Sequence, residues 1–509
     1  MHPSHHAKSK PEHQAIIMAG SGTTRTYAEL ERRSNQIAHA LRSLGLQAGD
    51  HIAFQLGNCV EFLELVVGAQ RAGLVYTPIS THLLQEEVRY IVGNCRAKLL
   101  ITSPEFEQAL TMPLDGTQLE ARLIIRGSAP GFASFEALVD EQPDTPIADE
   151  QMGIQMLYSS GTTGLPKGVL AELKLGTPID EPHPVALALV QAFGISAESR
   201  YLSTAPLYHA APITFAVMTL SLGGTVVIME KFDAEAALRC IEQYHITHSQ
   251  WVPIMFVRML KLPEDVRNRY NLSTHRVAVH GAAPCPVGTK HAMIEWWGPV
   301  LAEYYASTEG AGFTAIDAQT WLQKPGSVGK SRSDNIHILD DEGNELTAGE
   351  VGTIYFSGIA RKFEYFDEAD KTTGAYNRDG WATVGDVGYL DEDGFLFLTD
   401  RKNYMIITGG VNVYPQEVEN LLLTHPAVAD AAVFGIPHEE FGEAVHAVVQ
   451  PVADVAADAD MEATLIGFMR EHLSSIKVPK RVDFSDNLPR HDNGKLYKRR
   501  LVEQYQRSA

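Results

Sequence analysis

Apolar positions alternate between two rhythms along the first hundred residues. Leu30, Ile37, Leu41 and Leu44 recur at helical spacing behind Thr26-Tyr-Ala-Glu29, whose Thr and Glu stand three apart as in a capping box. His51–Leu56 follows Gly49-Asp50 and reads as a strand; Val60–Ala72 is helical again, and Gly73–Pro78 and Ala97–Thr102 read as further strands. Strands separated by helices predict βαβ units around a parallel sheet. Residues 115–150, rich in Pro, Gly and Asp, predict a loop-dominated connection, and Gly380–Leu398 a strand and hairpin turning at Asp391-Glu-Asp-Gly394. The pattern changes near residue 400. A helix from Pro415, a strand pair within Val428–Val449, a helix over Ala463–Leu473 and a basic tail predict a small α+β unit. The expected class is α/β, with a large domain over 1–400 and a small domain over 401–509.

Composition narrows the partners. The 509 residues are 45% hydrophobic and 21% charged, an ordinary globular mix. Forty-two Lys and Arg against 63 Asp and Glu give a net charge of −21, which repels phosphate backbones and anionic membrane surfaces. No nucleic-acid partner is expected. The longest apolar run, Phe215–Met229, is broken by Thr, Ser and two Gly and is too short to span a bilayer, so no integral membrane association is expected. The N-terminal MHPSHHAKSKPEHQ lacks the apolar core of a signal peptide, and its His2, His5 and His6 read as a frayed polar end rather than a metal site. Four cysteines (Cys59, Cys95, Cys240 and Cys285) form no C-x-x-C pair, which points to a reducing, cytoplasmic setting.

The strongest chemical signal is Tyr158-Ser-Ser-Gly-Thr-Thr-Gly-Leu-Pro-Lys-Gly168 behind the apolar stretch 153–157. Ser159, Ser160, Thr162 and Thr163 offer hydroxyls, and Gly161, Gly164 and Gly168 let backbone N–H groups approach an anion. Lys167 adds a fixed positive charge, so the segment suits a polyphosphate. A Walker A loop is excluded, because Pro166 precedes Lys167 and Gly168 follows it.

This segment resembles the phosphate loop of the adenylate-forming superfamily: acyl-CoA synthetases, aryl-CoA ligases, luciferases and peptide-synthetase adenylation domains. Ala205-Pro-Leu-Tyr-His209, Tyr304-Tyr-Ala-Ser-Thr-Glu309, Gly380-Trp-Ala-Thr-Val-Gly-Asp386, Asp400-Arg-Lys402 and Asn493-Gly-Lys495 follow in the family's order, so the resemblance covers nearly the whole chain. It implies a large domain of α/β subdomains with mixed sheets and a small β-barrel-like subdomain, followed by a mobile C-terminal domain hinged near 402–403.

The implied roles fall on named residues. Ser159–Gly164 and Lys167 hold phosphates; Tyr304, Tyr305, Ala306, Ser307 and Thr308 hold the nucleotide, with Tyr305 against the base, and Gly281, Ala282 and Ala283 line its other side. Asp386 suits two ribose hydroxyls, because a carboxylate can accept both hydrogen bonds; Arg401 and Lys402 assist at the domain border. Thr163 and Glu309 hold Mg²⁺. His209, Ala210, His280, Gly281 and Ala306 face the acyl substrate, and the loop with Gly409 and Gly410 faces the thiol. Lys495 offsets the repulsion of two anions that must meet during adenylation. Two departures from the family pattern are Ala306, where Gly is usual, and Asn403, where Asp or Lys is common.

The implied reaction consumes ATP with Mg²⁺, forms an acyl-adenylate with release of pyrophosphate, and transfers the acyl group to coenzyme A. The segment 209–214 lacks the carboxylate that would pair an amino-acid ammonium, so an apolar carboxylic acid (fatty, aromatic, terpenoid or sterol-type) is the expected substrate. A separate carrier protein stays open as the acceptor, as does a homodimer. A nucleotide-binding regulator without chemistry would lack Lys167, Glu309 or Lys495, and all three are present.

Overall fold

A computed structural model describes residues 2–159, 166–171, 173–181, 190–331, 333, 335–358, 363–401, 404–408, 411–438, 441–453, 455–490 and 496–506. The alternation of the first hundred residues becomes a largely parallel sheet. His51–Gln55 pairs with Val75–Pro78 on one side and Leu99–Thr102 on the other, both parallel. Thr26 caps the helix Tyr27–Ser43 through the expected reciprocal bonds with Glu29. Two eight-stranded sheets form the large unit. The helices Tyr27–Ser43, Val60–Arg71 and Ala210–Leu222 pack together with residues of both sheets in one core, where Leu30, Ile37, Phe62, Leu63 and Ile213 are solvent-free. Gly68 exists for that packing: a Cβ there would stand 2.5 Å from the Ile37 side chain.

A five-stranded antiparallel sheet follows, ordered Ser327–Gly329, Leu396–Arg401, Asp386–Leu390, Gly352–Phe356 and Ile336–Leu339. The expected turn is present, with Gly394 N–H donating to the Asp391 carbonyl at 2.9 Å. The next strand, Ile406–Thr408, belongs to another sheet, built on the long antiparallel pair Val428–His438 and Gly442–Pro451. Helices Pro415–Thr424 and Ala459–His472 pack on it around Val418, Leu422, Leu465 and Met469, giving the chain a two-domain architecture.

Three expectations change. Residues 115–150 are not all loop: Ala121–Ile124 extends the parallel sheet beside Leu99–Thr102, and Phe135–Asp140 is helical. Both elements are too short to leave a period in the sequence. The basic tail forms the helix Lys498–Gln506. The N-terminus is not frayed but forms the helix Pro3–Ser9, in which His6 is buried and its Nε2 meets the Ser221 carbonyl at 2.9 Å. Lys10 donates to the Gly223 carbonyl at 2.5 Å, so the segment seals the end of the helix Ala210–Leu222.

Buried histidines and tryptophans share a second core. His275 stacks edge-on against Trp297 at 5.1 Å, and Trp297 against Trp251 at 5.4 Å. Burial holds His275 down to about 3 and His248 below its usual value. The depressed values mean that the unfolded chain binds protons the folded one refuses, so stability is full above about pH 6.5 and is lost as pH falls toward 3. The thermal midpoint should therefore drop across that window, and His275→Gln should flatten part of the drop.

Candidate active site

The sheets meet where the chemistry-bearing motifs emerge. Ile154–Ser159 delivers Ser159 at its end and leads into the phosphate loop, and Lys167 opens the returning strand Lys167–Ala171. Residues 160–165 lie outside the described residues, so Ser160, Gly161, Thr162, Thr163 and Gly164 carry no geometry here. Lys167 Nζ sits 4.8 Å above the Tyr365 ring, and the Tyr365 hydroxyl donates to Glu309 Oε1 at 3.0 Å. One tyrosine thus links the cation of the loop to the expected metal carboxylate. Partial burial lowers the Lys167 ammonium, as does Lys371, with Glu309 and Glu368 opposing. Nothing in the sequence singled out Tyr365; it arrives from a strand two hundred residues away that pairs with Lys167–Ala171.

Leu301–Ala306 carries Tyr304, Tyr305 and Ala306, with Ser307, Thr308 and Glu309 in the turn beyond. The Tyr305 hydroxyl donates to Asp386 Oδ2 at 2.7 Å across the junction with the five-stranded sheet. A cavity of about 200 Å³ opens there. Ala282, Ala283, Tyr304–Ser307 and Asp386 line it from the large domain, and Gln416, Glu419, Asn420, Arg490, Leu496 and Lys498 from the small one. Gly281 lets the loop pass close to the strand, because a Cβ would stand 2.9 Å from the Tyr304 carbonyl. Ala282 has φ +69°, a left-handed conformation that costs a non-glycine residue roughly 1 kcal/mol or more and is typical of ligand-binding loops.

Asp430 grips Arg490 with both oxygens, at 2.5 and 2.6 Å. Lys498 pairs with Glu419 at 2.8 Å with both side chains buried. Sequence reasoning missed Glu303, which lines the cavity and whose Oε2 accepts from the buried Lys290 ammonium at 2.5 Å. Burial pushes the Glu303 carboxyl up while Lys290 draws it back. Lys290 also lies 4.6 Å from the Trp321 ring centroid.

The expected acyl-facing residues divide. His280 does not reach the cavity: it is fully buried at the end of its strand, against Phe256 at 5.4 Å and 3.8 Å from Glu303 Oε2. A strand that is apolar on both faces hides a histidine as readily as it presents one. His209 stands at the N-cap of the helix Ala210–Leu222, and neither it nor Ala210 lines this cavity; the His209 ring lies 4.6 Å from that of Tyr208. Lys402, Gly409, Gly410 and Lys495 lie outside the described residues, as does the Arg401 side chain. No group of three His, Cys, Asp or Glu side chains forms a metal cage among the described residues. Nor is any described helix long and apolar enough to cross a membrane.

A lysine linked through Tyr365 to the Glu309 carboxylate, and an aromatic–carboxylate pair at a cavity lined from two domains, suit a nucleotide-dependent activating enzyme. Residues 4–361 match the AMP-binding enzyme family and residues 417–495 the AMP-binding enzyme C-terminal domain; the chain belongs to this family. The fatty acid–[acyl-carrier-protein] ligase ScoC of Streptomyces coeruleorubidus is 33% identical over 99% of this chain and 95% of its own. A feruloyl-CoA synthase of Amycolatopsis is likewise 33% identical, covering 97% of this chain and 96% of its own. Among solved structures, ATP-bound MatB of Rhodopseudomonas palustris matches 99% of both chains with a TM-score of 0.82 at 28% identity.

Proposed function

We propose that this protein is an AMP-forming acid–CoA ligase that activates an apolar carboxylic acid with ATP and passes the acyl group to coenzyme A. The observation that carries the reading is the cavity shared by the Tyr305–Asp386 pair and the small-domain residues Arg490, Leu496 and Lys498. The full-length likeness to a feruloyl-CoA synthase supports the acid and thiol classes.

In the first step the acid carboxylate attacks the α-phosphorus, the bond to the bridging oxygen breaks, and pyrophosphate leaves. Asp386 accepts from the ribose hydroxyls, exchanging its bond with Tyr305, whose ring then lies against the base. Lys167 and the loop hydroxyls hold the polyphosphate. Glu309, linked through Tyr365 to Lys167, is an oxygen donor of the kind a hard cation prefers; with Thr163 it would hold Mg²⁺, which would supply charge neutralisation at the phosphates. Lys495 stands between carboxylate and α-phosphate during attack. In the second step the thiol attacks the acyl carbon and AMP leaves. We place the domain border after residue 400 and the hinge at 402–403, about which the small domain exchanges Lys495 for the loop holding Gly409 and Gly410.

Asp386→Asn should raise KM for ATP about tenfold to a hundredfold, since a charged acceptor is lost, with a smaller effect on kcat. The test of the function is pyrophosphate release with fatty, benzoic, cinnamic and sterol side-chain acids, with and without coenzyme A. Acid-dependent release accelerated by coenzyme A supports the ligase; silence with every acid overturns it. The carrier-protein ligase among the relatives favours a second reading, a separate acyl carrier as acceptor. Release indifferent to coenzyme A but stimulated by a carrier protein would select it.

A further inference from the structure

Among the described residues, contacts on two sides tie the small domain to the large one. On one side, Glu87 in the helix Gln85–Asn94 receives the Tyr497 hydroxyl on Oε1 at 3.1 Å, and its Oε2 lies 3.4 Å from Arg500 Nη2. On the other, Lys261 donates to the Val428 carbonyl. Lys261 follows the helix Pro253–Leu260, which supplies Pro253, Ile254 and Val257 to the cavity wall.

Tyr497 is not an arbitrary anchor. Its N–H donates to the Pro489 carbonyl at 2.7 Å, and Arg490 bridges to Leu496 just inside that bond. These two pairings form a stem whose two sides flank Lys495 in the sequence. The Tyr497 hydroxyl therefore fastens the stem itself to the large domain, while Arg490 and Leu496 border the cavity. The Arg500 contact is longer, 3.4 Å against 3.1 Å, and its side chain is 40% exposed, so Tyr497 carries more of the contact than Arg500.

We propose that Glu87 is a positioning residue for acid activation: through Tyr497 it latches the stem formed by Pro489, Arg490, Leu496 and Tyr497 at the edge of the nucleotide cavity, and the latch opens before the thiol step. The proposal rests on the ligase reading above. The latch holds this stem at the cavity edge, so removing it should disfavour the half-reaction that needs the stem there and not the other. A group that merely supported the fold would lower both.

The half-reactions are measured separately on the full chain. Acid activation is followed as ATP–pyrophosphate exchange with ferulate and with dodecanoate, and thioester formation as coenzyme A consumption from preformed feruloyl- or dodecanoyl-adenylate. Glu87→Gln keeps an oxygen for the Leu84 N–H, which Glu87 Oε2 also accepts at 2.9 Å, so the helix start survives. Tyr497→Phe removes one hydroxyl. Each should lower exchange roughly three- to thirtyfold, with thioester formation unchanged or faster. Glu87→Arg should lower exchange further, and adding Arg500→Glu should recover part of it. Unchanged exchange, or a parallel fall in both half-reactions, would overturn the latch. Absence of exchange in the unmodified protein with every acid would instead overturn the ligase reading, and the latch with it.

Discussion

Lys495→Ala is expected to lower the rate of acyl-adenylate formation by roughly 10²–10³-fold or more, while the thiol reaction of preformed adenylate survives. A carboxylate and a triphosphate repel one another, and negative charge builds on the oxygens around the α-phosphorus as they join. A cation held at that point acts where charge develops and contributes little once the mixed anhydride exists. The split should appear as a collapse of ATP–pyrophosphate exchange beside intact thioester formation from supplied adenylate. Equal loss of both steps would remove Lys495 from this role. The residue follows Arg490 and precedes Leu496, both at the cavity edge, which is why its loss should act on chemistry more than on folding.

The largest stability effect is expected at Lys290. Its ammonium is solvent-free, bonded to Glu303 at 2.5 Å and set over Trp321. Lys290→Met preserves the length of the side chain but leaves a buried carboxylate with no cation. Breaking such a pair from one side costs about 3–5 kcal/mol, because the remaining charge must be buried alone or take up a proton. Denaturant unfolding should register this loss, and adding Glu303→Gln should recover most of it. If the double variant is no more stable than the single one, the cost lies in packing against Trp321 rather than in the unpaired charge.

The reactive motifs are visible in the sequence because each packs hydroxyls, glycines, aromatics or charges into a few consecutive positions. Tyr305 meets Asp386, and the Thr26–Glu29 cap and the βαβ rhythm reappear in the fold. What stayed hidden depends on pairing between distant segments. Tyr365 reaches Glu309 only because its strand adds to Lys167–Ala171, and Glu303 meets Lys290 only because a helix packs on a strand. No local pattern encodes either meeting. The same logic buried His280: its motif suggested a pocket wall, while the apolar strand Val277–His280 turned its imidazole into the core. Lys498 is buried against Glu419 by the same kind of distant pairing.

The placement of the aromatic residues has a spectroscopic consequence. All five tryptophans, Trp251, Trp296, Trp297, Trp321 and Trp381, precede residue 400. Trp251, Trp296, Trp297 and Trp321 cluster behind the wall that carries Glu303. Intrinsic fluorescence therefore reports on the nucleotide-facing wall of the large domain and is nearly blind to the small domain, which contributes only tyrosine. A ligand-induced change in emission would read as filling of the cavity, whatever the small domain does. To watch that domain turn, an emitter has to be introduced there. Exposed Ile407, on the hairpin strand Ile406–Thr408, offers a site outside its hydrophobic core.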